Sequence, residues 1–415
     1  MIPIKPIGAN VAPEQAQPGA ARAALAFLKP GSLQLSALPP LSLYVHFPWC
    51  VKKCPYCDFN SHEAKGGAFP EQAYLDALRT DLELALPLIW GRKVYSIFIG
   101  GGTPSLLSAQ GLDRLLSDIR TLLPLDNGIE ITMEANPGTF EAEKFKSYRA
   151  SGITRLSIGI QSFNPQHLKA LGRIHDGAQA LKAVDIAQAN FDNFNLDLMY
   201  ALPSQTLAEA RHDIETAIAF QPPHLSLYHL TLEPNTLFAK YPPAVPDDDA
   251  SADIQDMIAE LTSNAGYQHY EVSAYAKPER RARHNLNYWQ FGDYLGIGAG
   301  AHSKLSFPHR IVRQMRYKHP QTYLEKTQAG VPVQEEAEIG RDALGFEFML
   351  NALRLNEGFP ANLFSERTGM SINQIEQALD EAERKGMLHR DHISIRPTDL
   401  GRRFLNDLQE IFLSE

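Results

Sequence analysis

The chain has 415 residues, 44% of them hydrophobic and 21% charged, with a formal net charge of −9. That length suits one large domain plus a smaller one. The acidic balance argues against nonspecific nucleic-acid binding, which needs a surplus of Lys and Arg, and no apolar run approaches the roughly 20 residues of a membrane span.

Residues 1–40 hold seven prolines and a single acidic residue. They lack the basic start, apolar stretch and small-residue cleavage site of a secretory signal, and read as a disordered extension. From Leu41 short β-type runs alternate with helical stretches. The strands expected are LSLYVHF (41–47), VYSIFIG (94–100), IEITMEA (129–135), ITRLSIGI (153–160), FNLDLMY (194–200) and HLSLYHL (224–230). Helical apolar spacing covers 71–90, 109–123, 140–150, 177–190 and 205–219. Strand–helix repeats of this kind imply βαβ units and a parallel sheet. Six of them over residues 41–235 suit a partial α/β barrel better than a complete eightfold one.

The pattern loosens over residues 236–337, which read as a region that completes the barrel. A run of aspartates, Asp247–Asp249, is placed to cap a helix through 250–265. Gly296, Gly298 and Gly300 do not have the G-x-G-x-x-G spacing of a dinucleotide site and read as a strand-to-turn crossing. Residues 338–415 read as a separate winged-helix-like module, with helices at 340–353, 360–368 and 372–386, then a short hairpin and a last helix. Asp and Glu outnumber Lys and Arg there, the reverse of a groove-reading surface.

All three cysteines, Cys50, Cys54 and Cys57, lie within eight positions of one loop after the first strand. This is not a secreted disulfide framework, and it points to the cytoplasm. Thiolates suit iron–sulfur clusters or zinc, and both usually take four ligands. Three thiolates leave a metal position open, unless His46 or His62 completes a Cys3His zinc site. Lys52, Lys53 and Asp58 make the stretch too polar for three unligated core thiols. Later strands end at GGGTPS (100–105), Glu134, Gln161 and Asp197, which together suggest a shared pocket at the strands' C-terminal ends.

C-x3-C-x2-C after a first barrel strand, followed by Gly-Gly at the second, resembles the radical S-adenosylmethionine (SAM) proteins. The set YVHFPWC, GGGTPS, MEANP, SIGIQSF, LGRIHD and NLDLMYALP, running from about Leu43 to the C-terminus, is similar to the oxygen-independent coproporphyrinogen III oxidase group. The resemblance implies a radical SAM partial (β/α)6-type barrel and a [4Fe–4S] cluster on Cys50, Cys54 and Cys57, with SAM chelating the fourth iron. It further implies SAM contacts from Tyr44 and Tyr56 beside the cluster loop and adenine. Gly101, Gly102 and Thr103 would lie against the methionine part, Glu134 and Arg173 at its amino-acid end, and Gln161 and Asp197 at the ribose. Carboxylate recognition by a guanidinium suits Arg173.

Within that group the resemblance carries two function classes: decarboxylation of coproporphyrinogen III, and a haem chaperone branch that binds and delivers haem. The dehydrogenases have C-x3-C-x2-C-x-C, and here the last position is Phe59. HNLNYWQ (284–290) resembles the H-N-x-x-Y-W motif of the chaperones. It implies haem contacts from His284, Asn285, Tyr288 and Trp289, with Arg280, Arg281 and Arg283 near the propionates and His302 as a second candidate ligand. The chaperone branch is the expectation, with SAM bound or cleaved but without coproporphyrinogen III oxidase activity. The implied partners are haem-accepting proteins, including respiratory haem enzymes and membrane-associated acceptors, and a second copy of the chain in a homodimer.

Overall fold

The computed structural model of the protein describes residues 33–64, 68–138 and 144–413. Six parallel strands follow in chain order: β1 (Leu41–Phe47), β2 (Val94–Gly101), β3 (Leu125–Ala135), β4 (Arg155–Gln161), β5 (Phe194–Tyr200) and β6 (His224–His229). Each pairs with the next. Their near-continuous burial is that of strands covered on both faces. Helices Glu71–Ala85, Ala109–Leu122, Phe145–Ser151, Gly177–Asn190 and Leu207–Ala219 form the crossovers. Several are set by local chemistry: Asp176 with Gln179, and Thr206 with Glu209, make reciprocal capping boxes. The expected helix at 140–150 is described only from Phe145, because residues 139–143 lie outside the described set.

Residues 236–337 are not a loose appendage. They extend the same sheet at both edges. β7 (Gln268–Glu271) and β8 (Ala274–Ala276) form an antiparallel pair whose β8 adds antiparallel to β6. β9 (Asp293–Ile297) lies parallel beside β1, and β10 (His302–Phe307), β11 (Arg310–Arg316) and β12 (Val333–Glu338) continue antiparallel. The resulting order is β12-β11-β10-β9-β1-β2-β3-β4-β5-β6-β8-β7, an open twelve-stranded sheet rather than a closed barrel.

The carboxy-terminal part has its own core, with a three-stranded sheet (Phe359–Pro360, Ser394–Pro397, Leu388–Arg390) and helices including Arg341–Ala352, Asn362–Thr368 and Glu376–Arg384. Leu33 and Leu35 are buried in that core together with Phe291 and Ile311 of the sheet region. The expected extension over 1–40 is therefore corrected at its end. Residues 33–40 strap the two parts together, with Leu35 N–H donating to Pro308 O at 3.0 Å, because two leucines find an apolar seat. Residues 1–32 lie outside the described residues.

Candidate functional site: two cavities at the strands' C-terminal ends

The cysteine loop leaves β1 and is pinned at both ends. Trp49 is buried, stacked on Phe69 at 5.2 Å and edge-on to Tyr74 at 4.8 Å. Trp49–Cys50 then pairs with His62–Glu63 in a two-residue parallel ladder. Between them Cys57 N–H closes a turn on Cys54 O at 3.2 Å. The loop rests on the glycine turn of β2: Gly102 N–H donates to Phe47 O and Thr103 N–H to Trp49 O. A Cβ at Gly102 would stand 2.5 Å from Trp49 O, so only glycine permits this approach.

The three thiols line a cavity of about 300 Å³ together with the glycine turn, Glu134, Gln161, Arg173 and Asp197. Tyr56 also lines it, so the structure gathers most of the residues expected around SAM. Arg173 is central: Nη1 lies 3.7 Å from Cys54 Sγ, and Nη2 donates to Asn136 Oδ1 at 2.8 Å and Gly159 O at 2.9 Å. Asn136 in turn donates to Thr103 Oγ1 at 3.2 Å. It stands inside the MEANP stretch, yet only Glu134 was expected from it. Gln161 ends β4 with φ 65°, left-handed for a non-glycine residue and a form of strain concentrated at functional sites.

The electrostatics of the wall are anionic. Burial and the neighbouring Asp197 push Glu134 up to about 8, although Gly101 N–H donates to it at 2.9 Å. Burial also raises Asp197, held by Ser157 Oγ and Asn195 Nδ2 at 2.8 Å each. Burial raises the Tyr228 phenol, as do the charges of Asp197 and Glu134. Two buried carboxyls and a phenol, of which Asp197 feels the charge of Arg155, suit a ligand that brings positive charge, as a sulfonium and an ammonium do. Burial pushes the Cys50 and Cys57 thiols up as well, and a bound metal would favour their thiolates.

Among the described residues no three Cys, His, Asp or Glu side chains group closely enough to hold one metal ion. Three thiols lining one cavity suit a cluster that leaves one iron open better than a four-ligand tetrahedral zinc. Neither histidine expected as a fourth zinc ligand lines this cavity, and His46 is committed through Nδ1 to Tyr44 Oη at 2.7 Å and through Nε2 to Asn60 O at 2.9 Å.

A second cavity, of about 720 Å³, shares Cys57, Phe59, Gly101 and Glu134 with the first and opens toward β9 and β10. Tyr44 lines this one and not the first, stacked on Phe98 at 5.9 Å. Of the motif residues 284–289, Tyr288 lines it, edge-on to Tyr294 at 4.8 Å. The motif forms a helix, Arg283–Trp289. His284 is buried and lines neither cavity. Its ring stacks on Phe98 at 4.4 Å with Nδ1 3.4 Å from Glu130 Oε1. Asn285 donates to Tyr270 Oη, and Trp289 lies under Arg354 at 4.4 Å. Arg281 pairs with Glu357, and Arg283 donates to Gly128 O at the far end of β3, so neither guanidinium reaches a cavity.

A buried chain of hydrogen bonds starts at this helix. Tyr270 Oη meets His224 Nε2 at 2.9 Å, His224 Nδ1 meets Asn195 Oδ1 at 2.6 Å, and Asn195 donates to Asp197. The motif helix is thus joined to Asp197 of the first cavity through Tyr270, His224 and Asn195, three side chains that spacing alone did not single out.

The radical SAM superfamily model matches residues 44–217, and the HemN C-terminal domain model matches 339–404. The chain is 50% identical over 384 residues to "Heme chaperone HemW" of Haemophilus influenzae, covering 91% of this chain and 99% of that one. It is 49% identical to the protein of the same name from Escherichia coli, with the same coverage, and 32% identical to that of Bacillus subtilis over 90% of this chain and 99% of that one. In structure it resembles coproporphyrinogen III oxidase (HemN) of Escherichia coli, with a TM-score of 0.78, 23% identity and 91% of each chain covered, which concerns the fold. Half-identical to a HemW protein along nearly its whole length, and carrying both matched segments in order, the chain belongs to the HemW family of radical SAM proteins.

Proposed function

We propose that the protein is a haem chaperone that carries a [4Fe–4S] cluster on Cys50, Cys54 and Cys57, holds SAM in the first cavity, and binds haem for delivery to acceptor proteins. Tyr56, Arg173 and the glycine turn through Thr103 position the cofactor's polar end. Glu134 and Asp197 face its positive charge, and Gln161 joins Asp197 at the ribose. When bound, the cluster supplies an electron to the sulfonium of SAM. The protein's own contribution is orientation, and a wall that excludes water from the strand ends.

The observation that carries the reading against coproporphyrinogen III decarboxylation is Phe59. It takes the position of the dehydrogenases' additional cysteine and stands 57% exposed on the rim common to both cavities. A ring there offers apolar surface to a flat ligand and no metal ligand. No described helix is long and apolar enough to cross a membrane, and we place the protein in the cytoplasm. Haem titrated into the cluster-loaded protein should saturate near one equivalent per chain with a defined Soret band. A titration without saturation would remove the chaperone reading.

A further inference from the structure

Haem binding needs aromatic or apolar surface, an axial ligand and cations for two propionates, and the second cavity is lined by aromatic rings, histidines and two lysines. We infer that haem seats in the cavity of about 720 Å³ between β1 and β10 with its iron on His302, and not on His284 of the motif helix. The inference rests on the chaperone reading and assigns where that reading is carried out. The volume lies within the roughly 300–1,000 Å³ typical of ligand and cofactor pockets. Aromatic rings line the cavity: the stacked pair Tyr44 and Phe98, and the edge-on pair Tyr288 and Tyr294. Lys53 and Lys318 line it as cations, Lys53 with Nζ donating to Phe59 O at 3.0 Å and Ser61 O at 3.3 Å.

The choice of ligand follows from which imidazole has a free nitrogen facing the space. Three histidines line this cavity: His46, His62 and His302. His46 is held through both ring nitrogens by Tyr44 Oη and Asn60 O. His62 has Nε2 buried, its ring against that of His319 at 5.5 Å. His302 opens β10 at an exposed position, and its ring makes no hydrogen bond or ion pair within the described residues. Burial together with Lys318 and Arg313 holds its pKa below the usual value, so a neutral ring with a free lone pair is present near pH 7. His284, by contrast, sits behind Phe98.

The seat also places haem against the wall of Gly101, Glu134 and Phe59 that bounds the SAM cavity. Tyr288, the one motif residue in the cavity, contributes surface, while the remainder of the motif braces the helix that carries it.

The test is a haem titration of the cluster-loaded wild type, His302→Gly and His284→Gln, read by Soret position and by the EPR of the ferric haem, with thermal melts of each apo protein. Wild type and His284→Gln should share affinity and spectrum. His302→Gly should bind at least tenfold more weakly and lose the imidazole-ligand signature, and free imidazole should restore it. If wild type binds no haem, the chaperone reading fails and takes this assignment with it. If wild type binds haem and His302→Gly keeps both affinity and spectrum, the seat is wrong while the chaperone reading stands. Loss of the signature in a folded His284→Gln, with His302→Gly unchanged, would return the iron to the motif helix.

Discussion

Glu134 shows how a single side chain reveals what a site is built to receive. Burial and Asp197 raise its pKa from an ordinary 4.5 to about 8. Between those values the folded protein keeps a proton that the unfolded chain has released. Stability should therefore fall as pH rises through that window, with nothing further lost above about 8. Glu134→Gln has no proton to lose. Its apo form should gain on the wild type by up to about 1.4 kcal/mol per pH unit across the window, an upper figure because the carboxyl lines an open cavity. Melting curves at pH 5 and pH 8 check this, and a constant offset between the two proteins would contradict it. At this scale the sequence was most informative. Three cysteines, a glycine run and strand-end polar residues converge because the loop chemistry that forms a site also leaves a spacing. Asn136, Asn195 and Tyr270 escaped notice because an isolated Asn or Tyr serves caps and cores equally well, and only the fold brings them into one chain.

At the scale of elements, the helix Glu71–Ala85 is bound to the far edge of the sheet by an ion pair with almost no solvent contact. Asp81 receives Arg316 at 3.2 Å, Tyr323 Oη at 2.9 Å and Gly298 N–H at 3.2 Å. Asp81→Ala leaves the Arg316 guanidinium buried without its partner, a loss of about 3–5 kcal/mol. Urea unfolding should show the free energy of unfolding falling by that amount, while a value within about 1 kcal/mol of the wild type would mean that water replaces the carboxylate. The same network explains why β10 and β11 were not legible. Their buried positions include Ser303, Lys304, Ser306, Gln314 and Arg316, so the inward face shows no apolar alternation. Lys304 is held by Asp293 at 2.9 Å, which also pairs with Arg92. The six strands β1–β6, packed on both faces by apolar side chains, read correctly for the opposite reason. The motif helix is only seven residues long and its buried contact is a histidine, which leaves too little periodicity to detect.

Across the whole molecule, the two parts share more than a linker. Phe291 reaches from the end of the motif helix into the carboxy-terminal core, Arg354 returns over Trp289, and the Leu33–Leu35 segment closes the seam. A proline-rich composition concealed that segment, since two leucines among prolines signal little until a hydrophobic seat exists for them. Replacing Leu33 and Leu35 with Ala removes two buried side chains worth roughly 1.5–3 kcal/mol each, less the chain entropy regained on undocking. The double variant should melt several degrees lower and be cleaved faster by protease near the seam. An unchanged melt would mean that the strap contributes no stability.

The account as a whole holds that this barrel carries haem and does not remodel a porphyrinogen. The direct measurement is an anaerobic incubation of the cluster-loaded protein with SAM, a reductant, and equimolar haem and coproporphyrinogen III, followed by chromatography of the tetrapyrroles. Haem should co-elute with the protein and coproporphyrinogen III should be recovered unchanged. Accumulation of protoporphyrinogen IX, with release of carbon dioxide, would contradict it.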